Sequence, residues 1–170
     1  MTSCRICGSN NVFDFLDLGT QPLANAVLTK KQFVDEKFYP LVLQFCEACG
    51  LVQLKDLVSP KILFEQYSYF TGNASEAWKK HLSEFAHKLE KDFNIQENDL
   101  VIDIGSNDGT LLKNFHCEIL GIEPAKNVAE QAVKDEIPTV VDYFNTQVAC
   151  AYGPAKLVLA TNTFAHLQDL

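Results

Sequence analysis

The 170-residue sequence predicts an α/β fold in which a small, β-rich, zinc-binding N-terminal domain precedes a Rossmann-like core with a partial parallel sheet. Two observations predict this arrangement. Two Cys-x-x-Cys-Gly motifs lie within the first 50 residues, and after residue 100 short apolar runs alternate with helical segments. Strands that alternate with helices form parallel sheets with right-handed crossovers. We expect the zinc-binding domain to comprise residues 1–65 and the core to comprise residues 66–170.

Composition and charge exclude several classes of protein. The chain is 47% hydrophobic and 21% charged, and its net charge of −8 with no basic stripe argues against a nucleic-acid partner. No apolar run approaches the roughly 20 residues of a membrane-spanning helix. The first residues, Met1-Thr-Ser-Cys-Arg5, lack the apolar centre of a signal peptide. We therefore expect a cytoplasmic protein without a membrane partner, in which thiols stay reduced.

The two cysteine motifs are Cys4-Arg-Ile-Cys7-Gly8 and Cys46-Glu-Ala-Cys49-Gly50. A two-residue gap lets both sulfurs of a motif turn toward one ion, and four thiolates complete a tetrahedral structural zinc site with no open position. Two disulfides, an iron site with the same ligands, or a redox role for one pair are the alternatives. Because thiols are expected to be reduced and both motifs end in glycine, the predicted site is Zn²⁺ bound by Cys4, Cys7, Cys46 and Cys49.

Few elements are predicted before the core. Residues 39–45 read as a strand leading to the second motif, residues 51–54 as its return strand, and Gly19 and Pro22 as a turn. A helix over residues 74–93 follows, because its apolar residues recur every three or four positions. His81 and His87 on this helix are interpreted as part of its exposed polar face.

The core begins with a buried strand over residues 100–104, which ends at Gly105 and is followed by a polar turn. Glycine lets the backbone approach a ligand closely. A helix starting at Gly109 would point its free N–H groups at the same place. The stretch therefore predicts a site for a small molecule.

Polar residues follow four successive predicted strands. In doubly wound sheets, ligands bind beyond the carboxyl ends of the strands. Glu123 ends the second strand, about 20 residues after the first, where an acid accepts hydrogen bonds from ribose hydroxyls. Residues 142–144 and 161–163 follow the next two strands, and His166 comes one turn later. One acidic residue at the end of a strand can be explained as a helix cap. Polar residues at the ends of four successive strands instead indicate a nucleoside site. The predicted cofactor-binding residues are Asp103, Gly105, Asn107, Asp108, Glu123, Phe144 and Asn162.

The residue at position 107 indicates which nucleoside is bound. The dinucleotide motif Gly-x-Gly-x-x-Gly needs a glycine at the place of Asn107, which disfavours a nicotinamide cofactor. Asp103-x-Gly105-x-x-x-Gly109 is instead the form used by methyltransferases that bind S-adenosylmethionine. Nearby acids suit a cofactor that carries a sulfonium and an ammonium group and no phosphate. The pattern predicts S-adenosylmethionine as the cofactor.

Motifs along nearly the whole chain carry a resemblance to a known family. They are Cys4-x-x-Cys7, Leu18-Gly-Thr-Gln-Pro-Leu-Ala-Asn25, Tyr39-Pro-Leu41, Cys46-x-x-Cys49-Gly-Leu-Val-Gln-Leu54, Tyr67-Ser-Tyr69, Ile104-Gly-Ser-Asn-Asp-Gly-Thr-Leu-Leu112, Gly121-Ile-Glu-Pro-Ala125, Ile137-Pro-Thr139 and Asn162-x-Phe-Ala-His-Leu-x-Asp169. In these the chain resembles the sugar C-methyltransferases of deoxysugar biosynthesis, which join an N-terminal zinc-binding module to a class I methyltransferase core. The resemblance implies methyl transfer to the carbon alpha to the ketone of a nucleotide-linked 4-keto deoxysugar.

The resemblance also implies a mechanism and candidate catalytic residues. A base removes the proton beside the ketone, hydrogen bonds stabilise the enolate, and its carbon takes the methyl group from sulfur. From the residues alone, Tyr67 and Tyr69 read as packing aromatics, with a lid over the ligand as the alternative. The resemblance instead makes Tyr67 or Tyr69, together with His166, candidates for the substrate site.

The core is expected to be incomplete. A class I methyltransferase sheet has about seven strands, whereas four are predicted here, and the family's presumed general base would follow Leu170. We therefore expect an N-terminal part of such an enzyme, with weak or no activity by itself. The alternative is a non-catalytic module that binds zinc and a nucleoside.

Overall fold

The structure is a computed structural model that describes residues 3–24, 27–64, 67–73 and 75–167. Its contacts divide the described residues into two compact units, one formed by the residues up to Leu63 together with Leu167, and the other by Phe64–His166. Residues 65 and 66, where the predicted domain boundary falls, lie outside the described residues, as do Asn25 and Asp169 of the family motifs.

The first unit contains an antiparallel sheet in the order β1–β2–β3. Its strands are β1 (Val12–Pro22), β2 (Phe38–Cys46) and β3 (Val52–Leu54), and a 3₁₀-helix, Lys30–Asp35, precedes β2. The predicted turn at Gly19 and Pro22 is wrong, because β1 pairs with β2 as far as Pro22. A register shift between Asp17 and Thr20 lets Gly19 adopt φ +69° within the strand.

The first unit buries almost no apolar side chain. Within its described part, the buried residues are Cys4, Gln44, Cys46 and Gln53. Large apolar residues of β1, such as Phe13 and Phe15, are about half exposed. A sheet without a hydrophobic core needs another source of stability, and a bound metal is the usual one in small domains.

The second unit is an α/β structure around a parallel sheet in the order β6–β5–β4–β7. Its strands are β4 (Leu100–Ile104), β5 (Glu118–Ile122), β6 (Thr139–Val140) and β7 (Leu157–Leu159). Its longer helices are α2 (Glu76–Asp92), α3 (Lys126–Lys134) and α4 (Thr146–Tyr152), while a short helix, α1 (Pro60–Phe64), precedes them at the junction of the units. The predicted Rossmann-like fold with a partial parallel sheet and a small β-rich domain is confirmed. In this order the direction of winding reverses between β4 and β7, where such sheets bind ligands.

Both faces of the parallel sheet are covered. Val101 of β4 lies in a cluster with Leu82 and Ala86 of α2 and Ala132 of α3. The next residue of β4, Ile102, points to the opposite face and joins a second cluster. That cluster also contains Ile122 of β5 and Val148 of α4. The alternation of β4 side chains therefore produces three layers, as expected for a strand buried on both sides.

The turn after β4 does not lead into an α-helix. The predicted helix start at Gly109 is wrong, since only a 3₁₀-helix, Leu112–Asn114, follows the turn. The Asp108 carboxylate accepts hydrogen bonds from the Thr110 N–H at 3.2 Å and from its hydroxyl at 2.6 Å, which keeps this stretch in a turn. The turn is therefore followed by no α-helix N-terminus, and the Asp108 side chain sets its conformation.

Among the described residues, no helix combines the length and the apolar character that crossing a bilayer requires.

Two substitutions at left-handed backbone positions should change stability in opposite directions. Gly109 has φ +74°, and a Cβ added there would lie 2.8 Å from Cγ2 of the buried Ile137. We expect Gly109→Ala to lower the free energy of unfolding by about 2–4 kcal/mol, through backbone strain and overpacking. Glu136 is exposed with φ +62°, so Glu136→Gly should raise the free energy of unfolding by about 0.5–1 kcal/mol.

Urea unfolding followed by the fluorescence of Trp78, the sole tryptophan, measures both effects in the second unit. Shifts of the same sign in the two variants would contradict this account of the turn.

Candidate functional site

The structure brings the four predicted zinc ligands together. The Sγ atoms of Cys4 and Cys49 lie 3.6 Å apart, and those of Cys7 and Cys46 lie 3.7 Å apart. All four lie within 4.8 Å of one another. Four sulfurs bonded to one zinc ion are separated by roughly 3.8 Å, given the Zn–S bond length. Each close pair takes one cysteine from each motif, and both distances far exceed an S–S bond of about 2.05 Å, so the geometry is that of a shared tetrahedral ion and not of two disulfides.

The electrostatics of the cluster also favour a bound cation. The backbone N–H of Cys7 points at the Cys4 sulfur and lowers the pKa of that thiol to about 6. The N–H of Leu51 lowers the pKa of Cys49, but burial and the neighbouring sulfurs outweigh it and raise the pKa to about 12. Four thiolates so close together repel one another unless a divalent ion compensates their charge.

Buried glutamines hold the cysteine loops in place. Gln53 of β3 accepts a hydrogen bond from the Arg5 N–H at 3.0 Å and donates to the Ser3 carbonyl at 3.2 Å. It also donates to Gln44 at 3.3 Å. Sequence reasoning missed Gln53, since a lone glutamine in a strand carries no signal for this role. Groups that fix the loops carrying the ligands affect metal affinity nearly as much as the ligands do.

Glu123 joins two elements at the carboxyl edge of the parallel sheet. It follows β5 and is 6% exposed. Its Oε2 accepts a hydrogen bond from the Asn107 N–H at 2.9 Å, and its Oε1 accepts one from the Ala125 N–H at 2.8 Å. Burial raises the pKa of Glu123, against the effect of these two N–H groups. Each oxygen keeps a second lone pair, so the carboxylate can still accept hydroxyl hydrogen bonds.

Asp103 is a second acid in the same region. It is 3% exposed in β4, opposite Gly121 of β5. Burial, and then the charge of Glu123, raise the pKa of Asp103 to about 7. Among the described residues, neither Asp103 Oδ1 nor the buried Ser106 hydroxyl has a hydrogen-bond partner. Buried acceptors without partners are uncommon, and a cationic donor such as an ammonium group would satisfy them.

Asn107 and Asp108 hold residues 67–73, which we call the aromatic segment. The Asn107 side chain accepts a hydrogen bond from the Thr71 N–H at 2.8 Å and donates to the Tyr69 carbonyl at 3.1 Å. Asp108 Oδ2 accepts one from the Gly72 N–H at 2.6 Å. Their side chains therefore position this segment, and the Asn107 backbone contacts Glu123. Their predicted role as cofactor ligands stays a prediction.

A third side chain fixes the start of the aromatic segment. Asn127, in the first turn of α3, accepts a hydrogen bond from the Tyr67 N–H at 3.2 Å and donates to the Tyr67 carbonyl at 2.7 Å. Both bonds are to the backbone, so they fix the path of the chain at Tyr67. Sequence reasoning missed Asn127, because an asparagine near a helix start usually reads as a capping residue.

Two of the predicted catalytic residues contact the same aromatic ring. The ring centroid of Phe64 lies 6.1 Å from that of Tyr67 and 5.7 Å from that of His166. His166 is exposed, in a 3₁₀-helix after β7. The ring of Tyr69 is 50% exposed. The structure thus groups Tyr67 and His166 around Phe64. Sequence reasoning did not identify Phe64 as part of the site.

The remaining predicted cofactor residues differ in their surroundings. A Cβ on Gly105, which has φ +70°, would collide with the side chain of Thr163, so the turn that follows β7 packs directly against Gly105. Asn162, the neighbour of Thr163, is exposed and has φ +56°. Phe144 is half-buried and packs against the cluster around Ile102. Phe144 therefore has a packing role, and its predicted contact with an adenine stays a prediction.

Comparisons with known proteins agree with both units. Residues 4–64 match the family model described as "Putative zinc binding domain". The chain is also 29% identical, over 175 aligned positions, to the C-methyltransferase NovU of Streptomyces niveus, and the alignment covers 98% of this chain. It spans 41% of that relative's length. The predicted resemblance to C-methyltransferases is confirmed, and the family match and the cysteine cluster together support Zn²⁺ as the ion of the first unit.

Loss of one cysteine should remove zinc and unfold the first unit. We expect Cys46→Ser to lose the ion and the β-sheet of residues 12–54, because the described residues of the unit form no hydrophobic core that could replace the ion. Gln53→Ala should weaken zinc binding by about 10- to 100-fold without abolishing it. Zinc per chain, measured by mass spectrometry, and amide chemical-shift dispersion check both outcomes.

The matched control is Cys150→Ser, an exposed thiol in α4, which should keep one zinc ion per chain. Stoichiometric zinc in Cys46→Ser would show that the four sulfurs do not form the site.

Asp103 should make the stability of the unliganded protein depend on pH. Its carboxyl holds a proton in the folded state up to a pKa of about 7, but loses it near pH 4 when unfolded. The stabilisation is complete below pH 4, is lost as pH rises to about 7, and is constant above. We expect Asp103→Asn to remove this loss, which makes the variant more stable than the parent at pH 8, by up to about 4 kcal/mol, with a smaller difference at pH 5.

Urea unfolding of both proteins between pH 5 and pH 8, followed by Trp78 fluorescence, measures the difference. Substitution of the exposed Glu97 by Gln serves as the control and should leave the pH profile unchanged. A difference between Asp103→Asn and the parent that does not vary with pH would rule out this origin.

Proposed function

We propose that the chain is the N-terminal part of a cytoplasmic, S-adenosylmethionine-dependent C-methyltransferase. Its substrate would be a nucleotide-linked 4-keto deoxysugar, methylated at the carbon alpha to the ketone. One observation carries the proposal, namely that two buried acids, Asp103 and Glu123, occupy the carboxyl edge of the two central strands. The similarity to a C-methyltransferase supports it.

The acids favour S-adenosylmethionine over a dinucleotide. The free lone pairs of Glu123 suit the two adjacent hydroxyls of a ribose. Asp103 Oδ1 and the Ser106 hydroxyl, which lack partners among the described residues, suit the ammonium group of the cofactor's amino acid part. A pyrophosphate at this edge would instead place two negative charges beside two carboxylates. When bound, S-adenosylmethionine supplies an electrophilic methyl group.

The residues around Phe64 are the proposed substrate side of the site. Of the two candidate tyrosines, Tyr67 is favoured over Tyr69, because its backbone is held on both sides by Asn127 and its ring shares a neighbour with His166. A phenol and an imidazole can each donate a hydrogen bond to the oxygen of an enolate, and the imidazole can also hold a proton. These two residues would orient the keto sugar and stabilise its developing negative charge.

The aromatic segment explains why asparagine occupies position 107. A cofactor without phosphates does not need the close backbone approach that a glycine allows there. The Asn107 side chain is instead used to hold the aromatic segment beside the cofactor turn, through Thr71 and Tyr69. One residue would thereby connect the cofactor and substrate parts of the site.

Calorimetric titration tests the cofactor. We expect the chain to bind S-adenosylmethionine and not NAD, and Glu123→Gln to weaken binding at least tenfold through loss of charged hydrogen bonds. The control is Glu118→Gln, an exposed acid at the opposite end of β5, which should leave the affinity unchanged.

Binding of NAD in preference to S-adenosylmethionine would exclude the proposal. Methyl transfer to a 4-keto sugar nucleotide is measured in parallel with labelled cofactor. Cofactor binding without turnover by this chain fits an N-terminal part of the enzyme, or a non-catalytic module that binds zinc and a nucleoside.

A further inference from the structure

We propose that His87, Glu90 and His116 form a second metal site, which takes a divalent transition ion such as Zn²⁺ or Ni²⁺. One ligand atom from each of these residues lies within 4.8 Å of the others. All three belong to the second unit, whereas the four cysteines belong to the first. The proposal does not depend on methyl transfer.

The fold itself brings the three side chains together. His87 and Glu90 are three residues apart on α2, so they lie on the same face of the helix. His116 lies between the 3₁₀-helix Leu112–Asn114 and β5, and its backbone N–H donates a hydrogen bond to Glu90 Oε1 at 2.6 Å. The preceding residue, Phe115, is buried in the same cluster as Leu82 and Ala86 of α2. The core therefore fixes the backbone on both sides of the site.

Hydrogen bonding prepares His87 for a metal. Its Nδ1 lies 2.7 Å from the Ser83 carbonyl oxygen, which can only accept a hydrogen bond. Nδ1 must therefore carry the proton of the neutral imidazole, and Nε2 keeps its lone pair for a metal ion. Histidines that bind metals usually donate their other N–H to a backbone carbonyl in this way.

Glu90 and His116 complete the site. The Glu90 side chain is only 17% exposed, and both of its oxygens lie 3.3 Å from Nδ1 of His116. The rings of His87 and His116 are 5.4 Å apart between centroids. Two imidazoles this close to one carboxylate repel each other when both are protonated, but they chelate a cation when neutral.

The ligand set indicates the class of ion. Imidazole nitrogen together with one carboxylate suits zinc, nickel or copper, whereas calcium and magnesium prefer oxygen ligands alone. Three protein ligands leave a coordination position open, and the exposure of both histidines gives solvent access to it. A bound ion would join α2 to the loop that leads into β5, and would stabilise the second unit by mass action.

The test is calorimetric titration with Ni²⁺ of the untagged chain that carries one equivalent of zinc and no excess metal, with the zinc content measured in the same samples. We expect one Ni²⁺ per chain in addition to the zinc held by the cysteines, and a higher unfolding temperature reported by Trp78. The double variant His87→Gln/His116→Gln should bind Ni²⁺ at least tenfold more weakly, while its zinc content stays the same.

The matched control is His81→Gln, which removes another exposed imidazole from the same helix and should leave Ni²⁺ binding unchanged. Either of two results would overturn the site. One is that the unsubstituted chain binds no additional Ni²⁺, and the other is that the double variant, folded by circular dichroism, binds it as tightly as the parent.

Discussion

The candidate site of the second unit depends on the carboxylate of Glu123. One of its oxygens accepts the backbone N–H of Asn107 in the turn after β4, and the other accepts that of Ala125 at the start of α3. A single buried side chain thus sets the position of two loops relative to the sheet. Asn107 in turn holds the aromatic segment, so the positions of Thr71 and Tyr69 also depend on Glu123. A charged acceptor makes stronger hydrogen bonds than a neutral one, which suits an acid to this place.

The first unit depends on a different interaction. Its buried residues, within the described part, are two cysteines and two glutamines, so the hydrophobic effect contributes little to it. The sulfurs of the cysteines and the hydrogen bonds of Gln44 and Gln53 take the place of a core. The two units of the chain therefore represent two ways to stabilise a sheet, one with an ion and polar contacts and the other with packed apolar layers.

The zinc cluster and the parallel sheet could be predicted from the sequence, because local patterns specify both. The spacing of the cysteines predicts the zinc cluster, and the alternation of strands and helices after residue 100 predicts the parallel sheet. The strand β1 was missed because Gly19 and Pro22 usually mark turns, and only pairing with β2 reveals the bulge that accommodates Gly19. Contacts between residues distant in sequence, such as those of Asn127 with Tyr67 and of Phe64 with His166, leave no local signal.

The hydrogen bonds between the Asn127 side chain and Tyr67 bear on which substitutions the aromatic segment can accept. Both hydrogen bonds are to main-chain atoms, and Thr71 and Gly72 are likewise held by their N–H groups. Hydrogen bonds to its main chain therefore help to set the route of the aromatic segment. Substitution of the half-exposed Tyr69 would therefore change the surface that the segment presents, while the hydrogen bonds between Asn107 and the main chain of Tyr69 and Thr71 stay in place.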